Sequence, residues 1–238
     1  MDAMTIAATS MYADIDRVAN VGHNLTNLAT PGYRSIIETG AALRYAGMHS
    51  ANLSLMVASD AAASSIDTKS SGVTTTGNAT DFAIEGDGFF ALQSNAGTLV
   101  TRRGDFKLDR DGRLVTSTGE TVLGQSGPIT TTSGAITVEA DGRVFDGVKQ
   151  VDQLRILKVL DPSSLVMQGN GIFLAKSEVL DDATGFRIRQ GALEGSNVNS
   201  ATEMVKLIEL VKHIEANQKV MQFQDEILGK SLDKFAEL

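Results

Sequence analysis

The sequence predicts an α+β fold, mainly β, in which N- and C-terminal helices form a coiled-coil core region and a central antiparallel β domain lies between them. Two observations carry this. Both ends repeat apolar residues every three or four positions, the period of a helix face, whereas residues 82 to 188 alternate short apolar runs with glycine, the period of strands and turns. With 238 residues and 42% apolar content the chain is long enough to bury a core, but it has no Trp and only 5% aromatic residues. That core must come largely from Val, Ile, Leu, Ala and Met.

Residues 3 to about 29 read as a helix that stops where Pro31 disfavours helical geometry in the residue before it. Met4, Ala8, Met11, Ile15, Val18, Gly22, Leu25 and Ala29 form its stripe, and Thr30-Pro31-Gly32-Tyr33 a turn. At the other end Met204, Leu207, Val211, Ile214, Gln218, Met221, Asp225, Leu228, Leu232 and Phe235 keep the same spacing. A seam this narrow wants a partner helix. The two helices can pair with each other, but two helices alone bury little surface, so packing against other subunits is the stronger expectation. Ser200-Ala201-Thr202-Glu203 reads as a capping box opening the last helix, worth about 1 kcal/mol. Gly229 interrupts that helix at a cost of about 1 kcal/mol relative to Ala.

The expected divisions are 1–36 for the first helix and turn, 37–80 for an extended connector, 81–190 for the β domain and 191–238 for the C-terminal helix. Residues 54–80 are dominated by Ser, Thr, Ala, Gly and Asp, a weakly packing composition. Within the β region, Asp111-Gly112 and Asp141-Gly142 each sit between short apolar runs, and Asp-Gly favours the positive φ of tight hairpin turns. A sandwich or open barrel is the expectation.

The chemistry of the side chains argues against an enzyme. His23, His49 and His213 have no second ligand one helical turn away, so no metal is expected, and nothing suggests a cofactor. Asp109 and Asp111 fit a hairpin turn better than a calcium loop, and Gly124-Gln125-Ser126-Gly127 lacks the spacing of a nucleophile elbow. Glu85 and Asp87 read as solvated turn residues rather than paired acid and base. A net charge of −8, with no basic run longer than Arg102-Arg103, argues against nucleic acid as a partner. No stretch approaches the roughly 20 apolar residues of a membrane span. An acidic start and a first cation at Arg17 do not suit a Sec-type signal peptide, and the chain has no Cys.

Three segments carry a resemblance. Asn24-Leu25-Thr26-Asn27-Leu28-Ala29-Thr30-Pro31-Gly32-Tyr33-Arg34 resembles the N-terminal signature of bacterial flagellar rod and hook proteins. Ala83-Ile84-Glu85-Gly86-Asp87-Gly88-Phe89-Phe90 is similar to the opening of that family's β domain, and Leu193-Glu194-Gly195-Ser196-Asn197-Val198 to the stretch before its last helix. The resemblance implies a structural axial protein of the periplasmic flagellar rod. Such a protein leaves the cell unfolded through the flagellar type III export apparatus, without a cleaved signal peptide. It packs its terminal helices against copies of itself and other rod and hook proteins to transmit torque, with no direct membrane insertion. Thr26 and the aliphatic Ile214 depart from the family pattern.

On this reading the assembly interface comprises Met11, Ile15, Val18, Asn24, Leu25, Asn27, Pro31 and Gly32 from the first segment. Met204, Leu207, Val211, Ile214, Met221 and Leu228 supply the rest from the last helix. The Asn side chains at 24 and 27 would cap or bridge helix ends, while Pro31 and Gly32 redirect the chain. The short β domain and the Leu-Glu-Gly-Ser-Asn-Val form favour a proximal rod protein over a distal rod or hook subunit. A secreted module that binds glycan or peptidoglycan is the reading from another class.

Overall fold

A computed structural model describes residues 3–38, 64–94, 98–132, 134–175 and 177–236. Helix α1 (Ala3–Thr26) and helix α2 (Ser200–Ala236) belong to one compact unit, and residues 27–37 with 64–198 form a second.

In the first unit α1 and α2 pack along their lengths as an antiparallel pair. The α1 helix stops five residues before Pro31, with the Thr26 hydroxyl donating back to the Gly22 and His23 carbonyls. The capping box does not form. Asn199 caps α2 instead, its Oδ1 accepting from Thr202 N at 3.1 Å, because the Glu203 carboxylate turns to Asn24 on α1 and to Lys206. The helix runs through Gly229, so the helix formers flanking it outweigh the propensity cost there.

The second unit is built from antiparallel strands. Short strands β1 (Ile36–Glu38) and β2 (Ser64–Ile66) pair with each other. The region expected to be an extended connector contains paired strands where it is described, while 39–63 lie outside the described residues. Next come β3 (Val73–Thr75), β4 (Phe82–Glu85), β5 (Phe89–Gln93), β6 (Thr98–Thr101), β7 (Lys107–Leu108), β8 (Leu114–Val115) and β9 (Thr121–Val122). After them are β10 (Thr137–Val138), β11 (Arg143–Asp146), β12 (Lys149–Gln153), β13 (Ile156–Val159), β14 (Val166–Gly169), β15 (Ile172–Ala175) and β16 (Leu180–Asp182). The last two are β17 (Arg187–Gln190) and β18 (Ala192–Glu194).

The main sheet runs β14-β15-β6-β5-β9-β8-β7, and β5 also pairs with β13, which carries β16. Smaller sheets are β10-β11-β12, β17-β4 and β18-β3. Strand β5 shows why the sheet is buried on both faces. Its side chains alternate, so Phe90 and Leu92 enter one apolar cluster while Phe89 and Ala91 enter another. In the first cluster Phe90 meets Phe106 edge-on at 5.1 Å between ring centroids, and Phe82 lies 6.2 Å from Phe106. In the second, Phe89 meets Phe173 edge-on at 6.5 Å.

Asp111-Gly112 and Asp141-Gly142 turn the hairpins β7-β8 and β10-β11, with glycine φ values of 74° and 87°. Each turn is braced by an arginine two residues on, Arg113 onto Asp109 at 2.7 Å and Arg143 onto Asp141 at 2.7 Å.

Phe90→Ala removes a ring shared by this packing and is expected to cost about 3–5 kcal/mol, read as a lowered urea midpoint. Gly104→Ala is expected to be worse, since its Cβ would lie 1.6 Å from the Phe82 carbonyl oxygen. A thermal melt at the parent midpoint would contradict that contact.

Candidate functional site

The three segments that carried the resemblance meet in the second unit around one carboxylate. Strand β18 alternates, so Ala192 and Glu194 share its buried face, and Glu194 is only 2% exposed. A carboxylate so buried must be paired. Its Oε1 accepts from Arg34 Nη2 at 2.8 Å and from Ser71 N at 2.8 Å, and its Oε2 accepts from Arg102 Nε at 2.6 Å. Arg34 belongs to the first segment and Glu194 to the third.

Arg102 brings in the second segment. Its Nη2 donates to the carbonyls of Ile84 at 2.8 Å and Gly86 at 2.6 Å, and its Nη1 to that of Gly88. The Glu85-Gly86-Asp87-Gly88 turn therefore wraps a guanidinium, which explains the two glycines at φ 107° and 134°.

Backbone contacts close the junction. Gly32 N donates to Glu194 O at 2.8 Å, and Asn197 N to Tyr33 O at 3.2 Å. Asn197 Oδ1 accepts from Ser35 N at 2.7 Å while its Nδ2 donates to the carbonyls of Asp67 and Lys69. Gly32 has φ 64°, and a Cβ there would stand 2.4 Å from the carbonyl carbon and oxygen of Arg102. No other residue fits that approach. Asn27 Oδ1 accepts from the Thr30 hydroxyl at 3.1 Å, bracing the turn that Pro31 begins to leave.

The two arginines are not equally served. Each guanidinium nitrogen of Arg102 finds an acceptor, whereas Arg34 Nε and Nη1 are buried without a hydrogen-bond partner among the described residues. Burial lowers the Arg34 guanidinium from its ordinary range, opposed by the Glu194 charge and reinforced by that of Arg102.

The other predicted residues lie on the helix pair. Asn24 is buried and donates from Nδ2 to Glu203 Oε2 at 3.1 Å. Met11, Val18 and Leu25 are half-buried on α1, as are Leu207, Ile214 and Met221 on α2. Ile15, Met204 and Val211 face outward in the single chain. Leu228 lies within α2, and its side chain is outside the described residues. The sequence reading missed Glu194, Arg102 and Asn197 as organising residues. The one available sign was Glu194 sharing alternation phase with Ala192 in a strand.

Glu194→Ala would strand two buried guanidiniums and is expected to cost about 3–5 kcal/mol in a urea titration. Arg102→Met is expected to cost more than Arg34→Met, because it orphans three carbonyls while the latter removes two unpartnered donors. Equal losses for the two would contradict this geometry.

The chain's matches to known proteins agree with the three segments. Residues 189–234 match the family model for the flagellar basal body rod FlgEFG protein C-terminal region, and residues 83–146 that for the flagellar hook protein FlgE/F/G D1 domain. The flagellar basal-body rod protein FlgF of Escherichia coli is 31% identical over 91% of this chain and 91% of its own. FlgG of Borreliella burgdorferi is 30% identical over 96% of this chain and 97% of its own, and FlgF of Caulobacter vibrioides 29% identical over 70% and 69%. With a relative at that identity across nearly its whole length, and with the family's segments tied together at Glu194, the chain belongs to the flagellar basal-body rod protein family.

Proposed function

We propose that this chain is a structural subunit of the proximal flagellar rod, which carries torque by interlocking its helices with those of copies of itself and of other axial proteins. The observation that carries this reading is the outer surface of the helix pair. Met204, Ile208 and Val211 follow one another at helical spacing on α2, and Val220, Phe223 and Ile227 form a second such row further along, about 120° round the helix from the first. All are large, apolar and exposed; Ile208 is 55% and Phe223 63% exposed. Rows of this kind on a monomer mark an association surface.

The coiled-coil character of that association, the seam roles of Met11, Ile15, Val18, Leu25, Met204, Leu207, Val211, Ile214, Met221 and Leu228, and export through the type III apparatus are parts of the same proposal. So is the placement in the periplasm. Asn24, Asn27, Pro31 and Gly32 would fix how the chain leaves the helix pair. Among the described residues no helix is long and apolar enough to cross a membrane. The family is structural, and the chain is read as a mechanical part rather than an enzyme. A different position along the rod is the second reading, favoured by FlgG relatives that align over as much of the chain as the FlgF ones.

Ile208→Asp tests the surface without disturbing the seam with α1. The variant is expected to retain the parent's melting temperature and helical signal but to disappear from purified basal bodies, with motility lost. Normal incorporation and swimming would overturn the assignment of this face.

A further inference from the structure

The seam between α1 and α2 contains polar residues where apolar ones would hold two helices together more simply. Asp14 is fully buried, with 0% exposure, midway along α1. Its Oδ2 lies 2.5 Å from His213 Nδ1 and 3.5 Å from Asn217 Nδ2, and its Oδ1 accepts from Arg17 Nη1 at 3.2 Å. Asn217 Nδ2 also donates to the Ser10 hydroxyl at 3.2 Å. Toward the other end of α1, Asn24 donates to Glu203, which Lys206 also engages at 2.5 Å.

These contacts are in step. From Ser10 to Asp14 to Asn24 the chain advances four and then ten residues, and from Asn217 to His213 to Glu203 it retreats by the same amounts. We propose that these six side chains form a ladder that selects one antiparallel register for the helix pair, and that selection rather than stability is their contribution.

Asp14, Asn24 and Glu203 are buried, and buried polar groups in helical seams cost free energy unless paired, so these three penalise every register in which their pairs are broken, while His213, 55% exposed, meets Asp14 from the rim. The apolar residues discriminate poorly, because leucine, isoleucine and methionine on α2 recur at heptad spacing and meet any apolar partner about equally well. Sliding α2 by one heptad in one direction would set Asp14 against Val220 and Asn24 against Leu210. The opposite slide offers Lys206 to Asp14, but sets Ser10 against Leu210 and carries Asn24 beyond the start of α2. The ladder therefore acts most strongly against the first slip. It operates in the single chain and does not depend on rod assembly.

The chain contains no cysteine, so an engineered pair reports register without interference. Two full-length variants are compared, Ser10→Cys with Asn217→Cys for the observed register and Ser10→Cys with Gln224→Cys for the slipped one. Each is oxidised at low concentration, and only intramolecular disulfide is counted. With Asp14 and His213 in place the first pair should cross-link about tenfold more than the second, the scale set by leaving a charge-assisted hydrogen bond unmade. Adding Asp14→Leu and His213→Leu to each should bring that ratio toward one while helix content by circular dichroism holds or rises. An unchanged ratio would overturn the proposal. So would loss of the helical signal, because leucines at a seam should strengthen pairing if selection is the ladder's role. Asp14→Asn with His213→Gln retains a neutral hydrogen bond, about half as strong, and should keep an intermediate preference of about threefold; its collapse to one would equally count against the ladder.

Discussion

The Glu194 carboxylate stands where three distant stretches of sequence must meet. It holds Arg34 from the turn after the first helix and Arg102 from the end of β6, and Arg102 in turn holds the Glu85-Gly86-Asp87-Gly88 turn by its carbonyls. Removing Glu194 leaves two guanidiniums, and removing Arg102 a set of carbonyls, buried without partners, and the penalty for that exceeds the net worth of the pairs themselves. The junction thus acts as a constraint on geometry more than as a store of stability. Gly32 shows how tight it is, since its missing side chain lets the chain cross the Arg102 carbonyl.

Apolar burial supplies what the junction does not. The two clusters on opposite faces of β5 come from period-two alternation in short strands, and the rings of Phe82, Phe90 and Phe106 tie β4 and β5 to the residue just before β7. The β unit therefore folds around its own core, and the helix pair can devote its outer apolar rows to association. On this account the chain separates its tasks: a β body with a completed core, and a pair of helices whose seam fixes register and whose outer surface seeks partners.

Much of this was legible in sequence, and the exceptions share a cause. The terminal helices, the Asp-Gly hairpins and the stop before Pro31 follow from local rules, in which spacing or a single residue decides. The face of α2 that meets α1 does not. Leu207, Leu210, Ile214 and Met221 share it with Glu203, Asn217 and Gln224, while Met204, Val211, Gln218 and Asp225 lie on the exposed side. A count of apolar residues cannot find the hydrogen-bonded half of such a seam. Asp14 and Glu194 were overlooked for the same reason: a charged residue reads as surface until its partner, 199 positions away for Asp14 and 160 for Glu194, is known. The cap at α2 moved from Ser200 to Asn199 because Glu203 was already engaged across the pair.

Deleting its gene, isolating basal bodies and imaging how far the rod extends shows whether this chain is a length of the rod itself. A rod absent or cut short close to the export apparatus, and restored by the parent gene, is expected. A rod of full length without this chain would contradict it.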